Sequence, residues 1–389
     1  MTALTDIEYF EFDSTHQTLI SDLLDKILTC ASWSKISSTV ALMTNTANAA
    51  AAQKVMTFTA GVPAGAGIFV GQTLRIGEKG AADCEYATVA SFASTTVTMV
   101  NNLVYAHNTG TNVYWGSELL KSTTTRGADM IFDLMDDEIR IPSFVGLNMA
   151  CWRSHTGLPN GGTDKAEKYL YFRAVAGTAS AVVHCIVSVS KEHIFISLEG
   201  PHYNEATPDS ATLGSARQYF FMGDLVPYDP ADTIPAVVAG GNNVTGIASS
   251  FPLDLLVQVS RNAADTSSWV NAKLQTLATP ANGAAGAMNV GRINADGNYE
   301  THPYVVIEDL GGHRGRLANF EFAGYVNPDF QDTVVSTAPL YTVNSHDSQD
   351  FKLLPMNHSG SNNAIYGPFG YLANNSNSPN NVVVAIPTT

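Results

Sequence analysis

Charged side chains are scarce in this chain. They make up 14% of its 389 residues, well under the roughly one quarter usual for soluble domains. Lys and Arg total only 20 and the net charge is −15. Phosphate binding needs clustered cations, so no nucleic-acid partner is expected. Low charge suits a surface covered by other subunits more than one that diffuses freely. Long apolar runs are lacking too. No segment reaches the roughly 18 residues of a membrane-spanning helix, and no membrane partner is expected. The opening residues MTALTDIEYFEFDSTHQ contain no basic region followed by an apolar run. A secretory signal is therefore not expected, and the chain is expected to be made and kept in a cytosol until it is assembled.

Cysteine is equally sparse. Cys30, Cys84, Cys151 and Cys185 lie far apart and form no C-x-x-C pair, which points to buried thiols acting as small hydrophobes.

Motifs that carry chemistry are also missing. Asp136, Asp137 and Glu138 form an acidic triplet without the alternating oxygen ligands, turn glycine and distal Glu of a calcium loop, so a solvated turn is expected. His346, Asp347 and Asp350 sit in a polar stretch with no second cluster at metal spacing. Gly65, Gly67 and Gly71 are followed by no Lys-Ser/Thr, which rules out a phosphate loop. Ser154 and His155 are adjacent, where a triad cannot use them, and no G-x-S-x-G elbow exists. The run Gly311 to Arg316, with His313, Arg314 and Arg316, reads as an exposed turn between strands. A contact with an acidic patch on a neighbouring subunit is its second reading. The sequons at Asn243, Asn357 and Asn374 matter only on a secretory route. The expectation is no enzyme, no catalytic residue, no metal and no cofactor.

What the sequence does contain is strand. Between Tyr169 and Tyr228 four runs follow one another: YLYFRAV, AVVHCIVSVS, HIFISLEG and RQYFFMGDLVPY. Ile194, Ile196 and Leu198 alternate with His193, Phe195 and Ser197, the period of a half-buried strand. Three residues between Val189 and His193 leave room only for a hairpin. The four runs therefore predict an antiparallel meander, stopped by Gly200 and Pro201 after the third run and by Pro227 and Pro230 after the fourth. One helix is predicted from about Thr15 to Ala31. Leu19, Ile20, Leu23, Leu24, Ile27 and Leu28 share a face, and Ser14 with Gln17 has the form of a capping box. Trp33 is expected to pack beside it.

From Val55 to Trp115 short runs rich in β-branched residues alternate with glycines, predicting a small barrel or sandwich. The succession FVGQTLRIG (Phe69 to Gly77), EYATVASF (Glu85 to Phe92) and TTVTMVNNLVYAHNTGTNV (Thr95 to Val113) resembles a small β module of structural proteins of tailed bacteriophages. That module closes with an "LxxAHxxGTxV" stretch, matched by Leu103, Ala106, His107, Gly110, Thr111 and Val113. Gln72 stands where an acid is common. The phrases at His193 to Leu198 and Tyr219 to Tyr228 are similar to ones in phage tail proteins. So is the stretch that begins GRLANFEFAGYV.

Further along, strands are expected near Met130 to Leu134, Phe144 to Cys151, in FPLDLLVQVSR and YVVIEDL, and at Val382 to Ile386. SHTGLPNGGTDKAEK reads as a surface loop on composition. The Gly/Asn-rich segments 236–250, 278–298 and 356–381 are expected to order only in an assembly. The fold expected is mainly β: an antiparallel meander or sandwich core with one N-terminal amphipathic helix and a small inserted β-barrel-like module. The division is residues 1–54 (arm and helix), 55–115 (module) and 116–389 (main domain with long loops and a C-terminal arm). The resemblance implies a structural component of a tailed-phage virion, in tail, baseplate or collar. Such a subunit is made in the host cytoplasm and located in the virion, with itself as homo-oligomer and other virion proteins as partners. A receptor-binding or glycan-cleaving tail spike is the alternative, although no internal repeats support it.

Overall fold

In the computed structural model of the chain, the described residues are 6–15, 18–37, 40–79, 81–136, 144–157, 161–173, 182–199 and 218–229. Further on they are 236–240, 257–259, 269–275, 302–308, 313–326, 342–344, 350–355, 364–367, 370–373 and 381–387. The fold is mainly β and its sheets are antiparallel. The N-terminal segment forms β1 (Glu8–Thr15), helix α1 (Leu19–Ile27) and β2 (Ser34–Lys35). The small module follows with β3 (Met43–Thr44), β4 (Val55–Thr57), a one-turn helix α2 (Val62–Gly65), β5 (Thr73–Ile76), β6 (Glu85–Phe92), β7 (Thr96–Met99) and β8 (Asn112–Trp115). These strands make a six-stranded sheet ordered β3-β8-β5-β6-β7-β4. It curls so that its two edges approach: Thr46 N–H, just past β3, donates to Thr57 O at the end of β4 at 2.8 Å.

Next come β9 (Glu118–Thr123), β10 (Asp129–Asp136), β11 (Phe144–His155) and β12 (Gly162–Arg173), which with β2 form a five-stranded sheet ordered β12-β11-β10-β9-β2. The remainder supplies β13 (Val182–Ser190), β14 (His193–Glu199), β15 (Gln218–Pro227), β16 (Ala236–Gly240), β17 (Val257–Val259), β18 (Val270–Gln275), β19 (His302–Glu308), β20 (His313–Val326), β21 (Thr342–Asn344), β22 (Asp350–Pro355), β23 (Ala364–Gly367), β24 (Gly370–Ala373) and β25 (Asn381–Pro387). Apart from the β23–β24 hairpin, these join β1 in a twelve-stranded sheet ordered β1-β13-β14-β15-β16-β17-β18-β19-β20-β25-β22-β21. A further pairing, Leu225↔Leu317 to Pro227↔Gly315, ties β15 to β20. Strands β15 to β20 thereby close into a ring, which leaves no free edge along that part of the sheet.

The two larger sheets face each other across α1. Leu19, Leu23, Leu24 and Ile27 are buried among Phe132, Leu134 and Met149 of one sheet and Val187, Ile194 and Ile196 of the other. The rings of Phe132 and Phe220 meet between the sheets at 5.4 Å. Each such buried side chain stabilises the sandwich by about 1.5–3 kcal/mol. Trp33 lies in the same core and donates its Nε1–H to Ser190 O at 2.7 Å. Cys30, Cys151 and Cys185 are buried and Cys84 is partly exposed; all four are free.

Runs two to four of the expected meander are β13, β14 and β15, hydrogen-bonded in that order, and β15 ends at Pro227. The first run belongs elsewhere. YLYFR is the end of β12 in the five-stranded sheet, and β1 occupies the place beside β13 along its full eight residues. That pairing also overturns the capping box. Ser14 sits in β1 opposite Val183 and bonds Asp22 through Oγ at 2.6 Å, while the N-cap position is Thr18 without a side-chain cap. A cap is worth about 1 kcal/mol, less than a strand ladder with its buried face. The helix is correspondingly shorter than the predicted span, and Gln17 lies outside the described residues.

Other boundaries move for similar reasons. Strand β3 places the start of the small sheet before Val55, and β2 ties the preceding segment into the five-stranded sheet. The stretch read as a surface loop is mostly strand, because β11 runs to His155 and β12 starts at Gly162. The expected C-terminal arm ends in β25, an inner strand between β20 and β22. Residues 236–240 form β16, with Val237 and Val238 buried, and 364–367 and 370–373 form a hairpin. The rest of 236–250 and of 356–380 and all of 278–298 lie outside the described residues.

Candidate functional site

The module and its seam with the five-stranded sheet concentrate the buried charge of the structure. Within the module, Glu85 opens β6 with its side chain turned inward, 7% exposed. Its carboxylate accepts the backbone N–H groups of Val104 at 2.8 Å and Tyr105 at 3.2 Å and lies 2.6 Å from His107 Nε2. His107 is fully buried and bridges Ala49 through its backbone. Leu103 and Val113 fill the core, and Gly110 turns with φ +93°, a conformation that favours glycine. Leu103, His107 and Gly110 of the closing motif thus pin the strandless segment between β7 and β8 onto the sheet, and Val113 lies in β8 itself. Gln72 is 2% exposed, and its Oε1 accepts the Phe69 N–H at 3.1 Å. A carboxylate there could accept the same bond.

At the seam, Glu118 of β9 is 1% exposed and gathers three partners. Arg75 Nη1 of β5 lies at 3.2 Å, Tyr86 Oη–H of β6 donates at 3.1 Å, and Lys35 Nζ of β2 pairs with the second oxygen. Arg75 also stacks over the Tyr114 ring, 4.4 Å from its centre. Burial and the Glu118 charge push the Tyr86 hydroxyl far above its ordinary range, so it stays a donor. Beside this, Asp133 of β10 is fully buried, accepting from Ser117 Oγ and from Trp152 Nε1 at 2.8 Å. Burial raises its carboxyl to about 6, against both hydrogen bonds. His155 is stacked on Trp115 at 5.5 Å and edge-on to Trp152 at 4.9 Å, and burial lowers its pKa. Its Nδ1 accepts the Gly157 N–H at 2.9 Å. Ser154 bonds Thr163 instead of His155.

A second latch joins the sheets at the β9–β10 turn. Thr125 N–H donates to Glu192 Oε1 at 2.8 Å, and Arg126 grips Asp224 with two nitrogens, Nε at 3.1 Å. Burial raises Asp224 to about 6, with Arg126 opposing.

Among the described residues, the serine–histidine arrangement at His193 has nucleophile-like geometry but is sealed. Ser190 Oγ and Ser188 Oγ lie 2.9 and 3.1 Å from the two ring nitrogens of His193, which is fully buried. Burial lowers the His193 pKa to about 4 and keeps the ring neutral. No substrate reaches it, and both nitrogens are engaged by hydroxyls. Among the described residues no group of three or more His, Cys, Asp and Glu converges as a metal site. Asp136 closes β10, Asp350 opens β22, and Asp137, Glu138, His346 and Asp347 lie outside the described residues, as do the three sequons. The run expected as a turn at Gly311 to Arg316 is strand from His313 onward. Gly65 closes α2, which is too short to act as an anion site.

The far end of the module is of another kind. No Asp, Glu, Lys or Arg occurs from Val55 to Leu74 or from Tyr86 to Ser117. Gly71 N–H donates to Val89 O at 2.8 Å, which continues the β5–β6 pairing toward Phe92. Phe69, Val70 and Phe92 at that end are 43, 58 and 36% exposed. Uncharged exposed apolar groups at a domain tip favour contact with another surface. The sequence signal for the tip was the charge-free stretch itself. For Glu85, Glu118 and Asp133 it was an acid set within an apolar run.

No family model, no curated protein and no solved structure matches the chain.

Proposed function

We propose that the chain is a structural subunit of a tailed-phage virion, placed in tail, baseplate or collar, and that it acts by assembling with copies of itself and with other virion proteins. The observation that carries the reading is the closing segment of the module, Leu103 to Val113. Its resemblance to the phage module rests on positions that have a packing role here: Leu103 and Val113 in the core, His107 on Glu85, Gly110 at a left-handed turn. The low charge of the chain and the exposed Phe69, Val70 and Phe92 support an assembling surface.

The test is direct. Particles of the phage that encodes the chain are purified, digested and searched for its peptides, and gold-labelled antibody against the recombinant chain is imaged on intact particles. Peptides at constant stoichiometry and label at the tail are expected. Absence of the chain from the particles would overturn the reading. Depolymerisation of host polysaccharide by the purified chain would put the tail-spike alternative in its place.

A further inference from the structure

Strand β12 is the outermost strand of the five-stranded sheet among the described residues, and it is twelve residues long. An edge of that length is a template for another strand unless something blocks it. Its central residues read Asp164-Lys165-Ala166-Glu167-Lys168. Turned antiparallel on itself about Ala166, this segment sets Asp164 opposite Lys168 and Lys165 opposite Glu167, so every charge meets its opposite. Shifting the register by one residue either way sets Asp164 against Glu167 or Lys165 against Lys168. Residues directly opposite in an antiparallel pair lie on one face and interact, favourably when their signs differ.

We infer that β12 pairs with β12 of a second copy about a twofold axis at Ala166, which joins two five-stranded sheets into one continuous sheet. The inference rests on the reading that copies of the chain assemble, and it names the surface they use. Ala166 is 1% exposed and packs into the sandwich core, so the strand is held in place before any partner arrives. Lys165 already pairs with Glu167 of its own strand and lies over the Trp152 ring at 5.1 Å. Its three donors allow it to take a second carboxylate without giving up the first. Asp164 has φ +45° and Arg153 beside it at 3.8 Å, a kink outboard of the central Lys165 to Glu167 step and repeated symmetrically in the second copy.

Among the described residues the other sheet edges do not offer this match. Strand β1, at one end of the large sheet, carries Glu8, Glu11 and Asp13 and no base, so self-pairing there would be repulsive. Strands β2, β3, β4 and β21 are two or three residues long, and the four-residue β23 and β24 carry no charge.

The experiment uses the full chain. Equal amounts of ¹⁴N- and ¹⁵N-labelled protein are mixed, joined with a zero-length carbodiimide reagent and digested, while sedimentation equilibrium gives the mass. A Lys165–Glu167 cross-link between light and heavy chains is expected. Lys165→Glu puts like charges opposite each other twice in the dimer and should weaken self-association by about tenfold or more. The double variant Lys165→Glu with Glu167→Lys restores opposite signs in the same register and should restore association, which a merely misfolded strand would not. Circular dichroism reports the fold of each variant. Self-association that Lys165→Glu leaves unchanged, or mixed cross-links only elsewhere, overturns the β12 pairing while the assembly reading stands. Failure of the folded double variant to recover overturns it as well. A wild-type chain that stays monomeric overturns it and leaves assembly only with other virion proteins.

Discussion

Arg75 on β5 and Glu118 on β9 meet across the seam between the module and the five-stranded sheet, with Nη1 and Oε1 3.2 Å apart and both side chains less than 8% exposed. A buried pair of this kind contributes little over an apolar contact of the same shape, but breaking it leaves an uncompensated charge. Glu118→Ala strands Arg75 and removes the partner of Lys35 and Tyr86. Destabilisation of about 3–5 kcal/mol is expected, with amide exchange rising in β5 and β9 together. A loss below about 1 kcal/mol in urea unfolding would mean that the seam is held by apolar packing alone.

Asp133 makes the protein sensitive to pH in an unusual direction. Its carboxyl titrates near 6 in the fold and at an ordinary 3.8 when exposed, so the folded state holds the proton more tightly. The stability this gives is complete below about pH 4 and is lost as pH rises through about 6, a difference on the order of 3 kcal/mol. Asp224 acts in the same sense. Asp133→Asn keeps an acceptor for Trp152 Nε1–H and has no charge to bury. It should flatten the fall in stability between pH 4 and 7 and be at least as stable as wild type at pH 7.5. Urea midpoints across that range decide it, and an unchanged slope would show that Asp133 is not the group responsible.

Glu85 is expected to hold the segment after β7. Glu85→Ala removes the acceptor of the Val104 and Tyr105 amides and the partner of His107. Buried donors left unpaired cost about 1–3 kcal/mol, so exchange at those two amides should speed up by roughly ten- to a hundredfold. Protection equal to wild type would mean that Leu103 and the Ala49 bridge suffice.

Strands β4 to β8 were legible because each is short, rich in β-branched residues and bounded by turn residues, and the pairings β5–β6 and β6–β7 join neighbours in sequence. Sheet membership was not. Periodicity shows that YLYFR is a strand but carries no information on whether it lies beside β13 or β11, a choice made by long-range packing. The strand at Glu8–Thr15 did leave a signal, Phe10 and Phe12 alternating with Glu11 and Asp13, masked by the helical pattern that begins a few residues later. The buried carboxylates showed only as acids within apolar runs; their partners were not legible, since Glu85 and Glu118 find them only when separate strands converge.

Gly315 marks where β20 crosses β15, opposite Pro227. A Cβ on Gly315 would stand 2.3 Å from Val226 O and 2.8 Å from Pro227 Cα. Both obstacles are backbone, and Pro227 has a fixed φ, so neither can swing aside as a side-chain tip would. Gly315→Ala must therefore push the strands apart at the point where β15 to β20 close their ring, with about 1–3 kcal/mol lost to overpacking. Amides of β15 from Leu225 and of β20 around Leu317 should lose protection together, while β13, separated from the crossing by β14, keeps its own. Strands β15 and β20 remaining fully protected in Gly315→Ala would show that the ring tolerates a wider crossing than the close approach at Val226 implies.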